Sequence, residues 1–161
     1  GQTITAKGYD DVEFLISTNP GESLKPLSQV ASGGELSRIM LAIKTVLAGR
    51  DEIDTLIFDE IDTGISGRTA WKVAEQLSVL SGAHQVICIT HLPQIAAMAD
   101  VHFAIEKSST DDMTITDIRK VADEESLAEL ARLLGSDALT EAALSNAKEM
   151  KEQANAFKEA R

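Results

Sequence analysis

Residues 11–18 alternate, with Val12, Phe14 and Ile16 on one side. That two-residue period predicts a half-buried strand, which Asn19-Pro20-Gly21 ends in a turn. Residues 22–31 contain Pro26 and no period, and read as an irregular loop. The spacing then changes. Leu36, Ile39, Met40, Ile43, Val46 and Leu47 recur at three and four residues, which predicts an amphipathic helix over 34–48 stopped by Gly49. Leu56-Ile57-Phe58 is apolar throughout, as in a strand covered on both faces. Ser66 is placed to cap a helix running to Leu80, with Gly82 closing it. Residues 85–90 form a second apolar strand, and 92–99 a short helix with Pro93 in its first turn. Residues 101–107 and 113–121 read as two strands joined by the polar turn 108–112. Asp123 opens a helix carrying Leu127, Leu130, Ala131 and Leu134, closed by Gly135.

A last helix spans 139–161, with Ala143, Ala147, Met150, Ala154 and Phe157 on one stripe. An alanine-rich seam of that length buries little area, so it is expected to pack on the domain rather than to self-associate as a coil. The alternation of strands and helices predicts a single α/β domain over residues 1–161, layered, with a largely parallel sheet and flanking helices.

Composition narrows the classes. Of 161 residues, 43% are apolar, enough for a core. No apolar run approaches the roughly 20 residues that span a bilayer, so no membrane partner is expected. Gly1 to Lys7 lacks the apolar segment of a signal peptide. The one cysteine, Cys88, lies between Ile87 and Ile89 and reads as a small buried residue. These features suit a reducing cytoplasm. The net charge of −11 disfavours this segment as a main DNA-contacting surface.

Three short motifs carry chemistry. Ser32-Gly33-Gly34 precedes a helix, where glycines let backbone amides close on a phosphate and the helix end attracts negative charge; an N-cap followed by a glycine turn is the plain alternative. Asp59-Glu60 ends an apolar strand, where α/β sheets place ligands. Asp59 could hold Mg²⁺ through its hydration shell, and Glu60 could orient or deprotonate water. His91 ends the next strand and would share their crevice if the strands are neighbours. His84 and His102 read as ordinary surface or strand-edge residues. A Gly-x-x-x-x-Gly-Lys-Ser/Thr loop, the usual phosphate cradle, is absent from the sequence.

In this order the motifs resemble the ABC-type ATPases. Ser32-Gly33-Gly34-Glu35-Leu36 is similar to their signature motif, Leu56-Ile57-Phe58-Asp59-Glu60 to Walker B, and His91 to the switch histidine. Asp59-Glu60-Ile61-Asp62 resembles the SMC-like branch. The segments 12–22, 30–40, 58–67 and 90–96 are similar to the RecN family of bacterial DNA repair proteins. That resemblance implies the C-terminal lobe of a split ATPase head, whose N-terminal half brings Walker A after which a long coiled coil intervenes. It implies ATP and Mg²⁺ as cofactors, with Mg²⁺ at Asp59 and catalysis by Glu60 and His91. It implies that Ser32, Gly33, Gly34 and Glu35 meet the γ-phosphate of a second head, with Asp62 in the D-loop region. Ala31 and Ser66 depart from the usual ABC pattern. The implied partners are the N-terminal half of the same protein, a second copy of the head, and DNA through the full-length protein. The implied setting is the bacterial cytoplasm, near the nucleoid. The isolated chain is expected to be inactive.

Two other readings remain at this stage. One is a non-catalytic dimerisation or regulatory module of the same fold, against which Glu60 and His91 argue. The other is a complete Mg²⁺-dependent phosphohydrolase, which would need Asp54, Asp62 or Asp100 to converge on Asp59.

Overall fold

Two parallel strands, β3 (Thr55–Phe58) and β4 (Gln85–Cys88), form the centre, paired from Thr55↔Gln85 to Phe58↔Cys88. In a computed structural model of the chain, all residues are described except 1–3, 5, 7, 11, 18–20, 30, 31, 48, 49, 51, 111, 112 and 136–138. The order is β1 (Leu15–Ile16), β2 (Lys25–Pro26), a 3₁₀ turn (Leu27–Gln29), α1 (Gly33–Leu47), β3, α2 (Gly67–Leu80), β4, α3 (Pro93–Met98), β5 (Phe103–Thr110), β6 (Met113–Lys120), α4 (Asp123–Leu133) and α5 (Glu141–Glu159). The architecture is mixed α/β, as the alternation predicts.

The parallel character is narrower than expected. Among the described residues, β3–β4 is the parallel pair, while β1–β2 and β5–β6 are antiparallel two-stranded units. The expected cover on both faces of the central strands is also corrected. Leu56, Phe58, Val86 and Cys88 turn to the core. Ile57, on the other face, is 68% exposed, and Ile87 and Ile89 are exposed as well. Successive strand residues point to opposite faces, and the helices of this chain cover one of them.

The core joins Leu41 of α1, Phe58, Ile61, Val73, Leu77 and Leu80 of α2, Ile95 and Met98 of α3, Leu130 of α4, and Ala143, Ala147 and Ala154 of α5. Ile61, Leu80 and Leu130 are fully buried, each contributing about 2 kcal/mol by removal from water. The α5 stripe packs on the domain as expected: its alanines are buried, and Met150 and Phe157 lie against the same core. Lys151 of α5 donates to the carbonyls of Ala97 and Ala99 at 3.1 and 2.9 Å, satisfying the end of α3.

Several boundaries move for physical reasons. The strand expected over 11–18 contracts to Leu15–Ile16, with Val12 and Phe14 exposed. Its partner β2 ends in Pro26, which has no N–H to extend the ladder. The β5–β6 ladder continues to Thr110↔Met113, into the segment expected as a turn. Ala122, not Asp123, takes the cap position of α4, and no side chain caps it. Ser66 does hold the cap position of α2, without a side-chain hydrogen bond. The expected turn at Asn19-Pro20 and the stop at Gly49 lie outside the described residues. Among the described residues, no helix is long and apolar enough to cross a membrane.

Candidate functional site

The helix α1 begins where the sequence is freest of side chains. Ser32 precedes it, its carbonyl accepting from Leu36 N at 3.0 Å, with the Glu35 N–H turned toward its hydroxyl at 3.5 Å. Gly33 and Gly34 form the first turn. Unpaired amides of that turn make it a place for negative charge.

Opposite it, β3 ends in a tight loop. Asp59 Oδ1 accepts from Glu60 N at 2.9 Å. Glu60 adopts φ 57°, among the described residues the one non-glycine in the left-handed region. The Glu60 carbonyl accepts from Thr63 N at 3.0 Å. This turn throws the neighbouring carboxylates in different directions. Asp59 and Glu60 are exposed, whereas Asp62 is buried at 4% exposure.

The Glu60 carboxylate leans over the start of α1 in the same chain. A Cβ added at Gly33 would run into Glu60 Oε2. A Cβ at Gly34 would lie 2.9 Å from the Glu60 carbonyl, 3.0 Å from Arg38 Nη1 and 3.0 Å from Thr63 Cβ. The first glycine thus leaves room for a flexible carboxylate, and the second for backbone packed against backbone. Ser37 Oγ donates to the Asp59 carbonyl at 2.9 Å. The structure therefore brings Gly33 and Gly34 together with Glu60 in one chain, a juxtaposition that the linear motifs did not foretell.

Asp62, in the loop after β3, reaches the residues that follow β4. Its Oδ2 accepts from Thr90 Oγ1 at 2.6 Å and from His91 N at 2.8 Å, and lies 3.0 Å from His91 Nδ1. Thr90 Oγ1 in turn accepts from Leu92 N at 3.0 Å. The carboxylate thereby fixes the His91 ring with Nδ1 inward, and the His91 side chain is 72% exposed. Asp62, expected in the D-loop region, is turned inward onto Thr90 and His91 rather than outward. Thr90, Ser37 and Arg38 were missed from sequence, where a lone threonine at a strand end and polar residues on a helix carry no distinctive pattern.

The other expected carboxylates do not converge. Asp100 pairs with Lys158 Nζ at 2.6 Å, and Asp62 is engaged as above. Among the described residues, no group of three His, Cys, Asp or Glu side chains is arranged to hold a metal ion. Asp59 is exposed, with one oxygen turned back to its own loop. A single such carboxylate suits Mg²⁺, which takes one or two protein carboxylates and completes its shell with water and substrate phosphates.

Of the two histidines expected at the surface or a strand edge, His102 lies directly before β5 and His84 corrects the expectation. His84 is buried, with Nδ1 2.7 Å from the Ile53 carbonyl. His102 is half-buried, with Nε2 2.6 Å from the Ala96 carbonyl and Nδ1 3.1 Å from Ser126 Oγ. The carbonyl can only accept, so Nε2 carries the proton and Nδ1 accepts from Ser126. Burial lowers the His102 pKa from its ordinary value. Cys88 is half-buried, and burial together with the carboxylates of Asp62 and Asp59 pushes its thiol up to about 12. That is the inert thiol expected.

No family model matches the chain. Individual proteins do. DNA repair protein RecN of Halalkalibacterium halodurans is 49% identical over 151 residues, 94% of this chain and 27% of that protein. RecN of Bacillus subtilis is 48% identical over 155 residues, 96% of this chain and 27% of that protein. RecN of Treponema pallidum is 54% identical over 143 residues, 89% of this chain and 25% of that protein. A solved chain from work on ATP-driven dimerization and DNA-stimulated activation of SMC ATPases is 22% identical, with a TM-score of 0.49 over 77% of this chain and 81% of that one. This chain is RecN-like along nearly its whole length, and it spans about a quarter of the length of the RecN proteins it matches.

Proposed function

We propose that this chain is the C-terminal half of a RecN-type ATPase head acting in DNA repair, completed by an N-terminal half that carries Walker A. The similarity to RecN proteins supports the family. The observation that carries the chemistry is the pair Asp59 and Glu60 at the end of a parallel strand, with Glu60 lying against the first turn of α1.

In this reading the site is shared between two heads. Asp59 would hold Mg²⁺ beside the nucleotide of its own head, where the ion would supply screening of phosphate charge. Glu60 orients the attacking water and accepts its proton. His91, held by Asp62, offers Nε2 to the terminal phosphate. Ser32, Gly33 and Gly34, with Glu35 behind them, receive the γ-phosphate of the opposite head through the amides at the start of α1. The negative Glu60 carboxylate rests over that same helix end in the free chain, so engagement of a second head replaces one anion there by another. Head engagement follows ATP binding, hydrolysis releases it, and DNA is reached through the rest of the full-length protein. The setting is the bacterial cytoplasm. The chain alone lacks the main phosphate cradle and does not turn over ATP.

The test uses full-length protein containing this segment. Ser32→Arg blocks the signature turn, and Glu60→Gln removes the base. Each homodimer is expected to lose on the order of 10²-fold or more in hydrolysis. A heterodimer of the two retains one intact shared site, so a random mixture should rise above both single variants, to about a quarter of normal activity if the sites act independently and to less if they are coupled. ATPase rate is measured against mixing ratio, with protomer exchange verified. A line flat at the level of the single variants, while each variant still dimerises with ATP, would sink the shared site.

A further inference from the structure

Helix α1 is clasped to the loop that follows β3. Arg38 Nη1 donates to the Ile61 carbonyl at 3.0 Å and to the Thr63 carbonyl at 2.9 Å. One turn earlier, Gly34 leaves the space in which the guanidinium and the Glu60 carbonyl come together. Ser37 adds its bond to the Asp59 carbonyl. One face of α1 therefore grips the loop backbone at residues 59, 61 and 63. Bonds from a guanidinium are charge-assisted and directional, which makes this a stiff connection. Arg38 is half-buried, as a side chain serving a joint would be.

We propose that Arg38 is a positioning residue that couples the two nucleotide sites of an engaged dimer. The proposal rests on the shared-site reading above. In that arrangement the loop 59–63 serves the nucleotide of its own head, and the start of α1 serves the nucleotide of the partner. Arg38 touches neither. It ties the two elements together, so a shift of the loop at one site moves the phosphate-receiving turn at the other. Coupling between two sites is a free-energy difference carried by such a two-position element. Without Arg38, the Ile61 and Thr63 carbonyls take water instead, and each element settles on its own.

The test measures ATP hydrolysis by the full-length protein as a function of ATP concentration. With two coupled sites, the Hill coefficient should approach the number of sites, and Arg38→Ala should bring it down to about 1. Arg38→Lys keeps the charge but not the planar, longer reach, and should fall between the two. A merely structural role would lower the folded fraction and kcat and leave the Hill coefficient unchanged. Arg38→Gln, a good helix former with an amide donor of shorter reach, repeats the measurement if the alanine variant fails to fold.

Glu60→Gln serves as the control for the underlying reading. If Glu60→Gln turns over normally, the shared-site reading fails and the coupling falls with it. If Glu60→Gln is inactive and its mixture with Ser32→Arg regains activity, the reading stands and Arg38 is judged alone. An unmodified protein with a Hill coefficient of about 1, or an Arg38→Ala protein that keeps the unmodified value, overturns the coupling.

Discussion

Replacing Gly33 and Gly34 separately by alanine should have opposite effects on stability. Both residues lie within α1 and neither has positive φ, so alanine can adopt either backbone. Each replacement gains about 0.4–1 kcal/mol by restricting the unfolded chain. At Gly33 the new Cβ meets the free end of the Glu60 side chain, which can swing into solvent. The gain survives, and Gly33→Ala should be neutral to slightly stabilising. At Gly34 the neighbours are the Glu60 carbonyl at 2.9 Å, Arg38 Nη1 at 3.0 Å and Thr63 Cβ at 3.0 Å. Backbone cannot swing away, and overpacking of this kind costs about 1–3 kcal/mol. The net for Gly34→Ala is then a loss of about 1.3 kcal/mol, within about 0–2.6 kcal/mol, once the 0.4–1 kcal/mol gain is subtracted. Urea unfolding of the chain, followed by far-UV circular dichroism, measures both. With a slope of about 2 kcal/mol per molar, the two midpoints should lie about 1 M apart. Equal midpoints, or a Gly33→Ala less stable than Gly34→Ala, would refute the division of labour between the glycines.

Asp62→Ala should cost about 2–4 kcal/mol, because it removes the acceptor of two charge-assisted bonds and leaves the Thr90 hydroxyl hydrogen and the His91 amide without an acceptor. A double-mutant cycle with Thr90→Val should show coupling, and additive losses would contradict the bond. Cys88 should resist iodoacetamide in the folded chain at pH 8, since a thiol pushed up to about 12 is thiolate at about one part in 10⁴; rapid labelling without unfolding would contradict its burial. His102 has a folded pKa below its ordinary value of 6.5. The unfolded state therefore takes up a proton first as pH falls through 6.5, and stability should decline from there down to the folded pKa. Urea midpoints between pH 7.5 and 5.5 should show that slope, and His102→Gln should flatten it.

The central elements were legible because their signals are local. The 3.6-residue period of α1, the Ser66 and Gly82 that bracket α2, the apolar runs of β3 and β4, and the proline at the start of α3 each fix an element without help from elsewhere. The first strand was not legible, because its alternation of Val12, Phe14 and Ile16 is real while its partner ends at Pro26. The bare face of β3 and β4 was hidden for a different reason: an apolar run states that a strand is apolar, not what covers it. At the site, Asp59, Glu60 and His91 could be named from their positions after apolar strands. The burial of Asp62 beneath His91 could not, since it follows from the left-handed turn at Glu60, a conformation glutamate seldom takes. Arg38 gave no signal because a charged residue on a helix is ordinarily a solvated one.

That left-handed Glu60 sets stability against chemistry at a single position. A side chain held at φ 57° costs about 1–2 kcal/mol that glycine would not incur. Glu60→Gly would therefore ease the backbone of the loop while deleting the carboxylate proposed to activate water. Selection for robustness alone, as in a screen for soluble or heat-resistant variants, would drift toward glycine here. Retaining glutamate in such a place is a signature of use, and a library sorted first for folding and then for turnover should enrich opposite residues at position 60 in its two rounds.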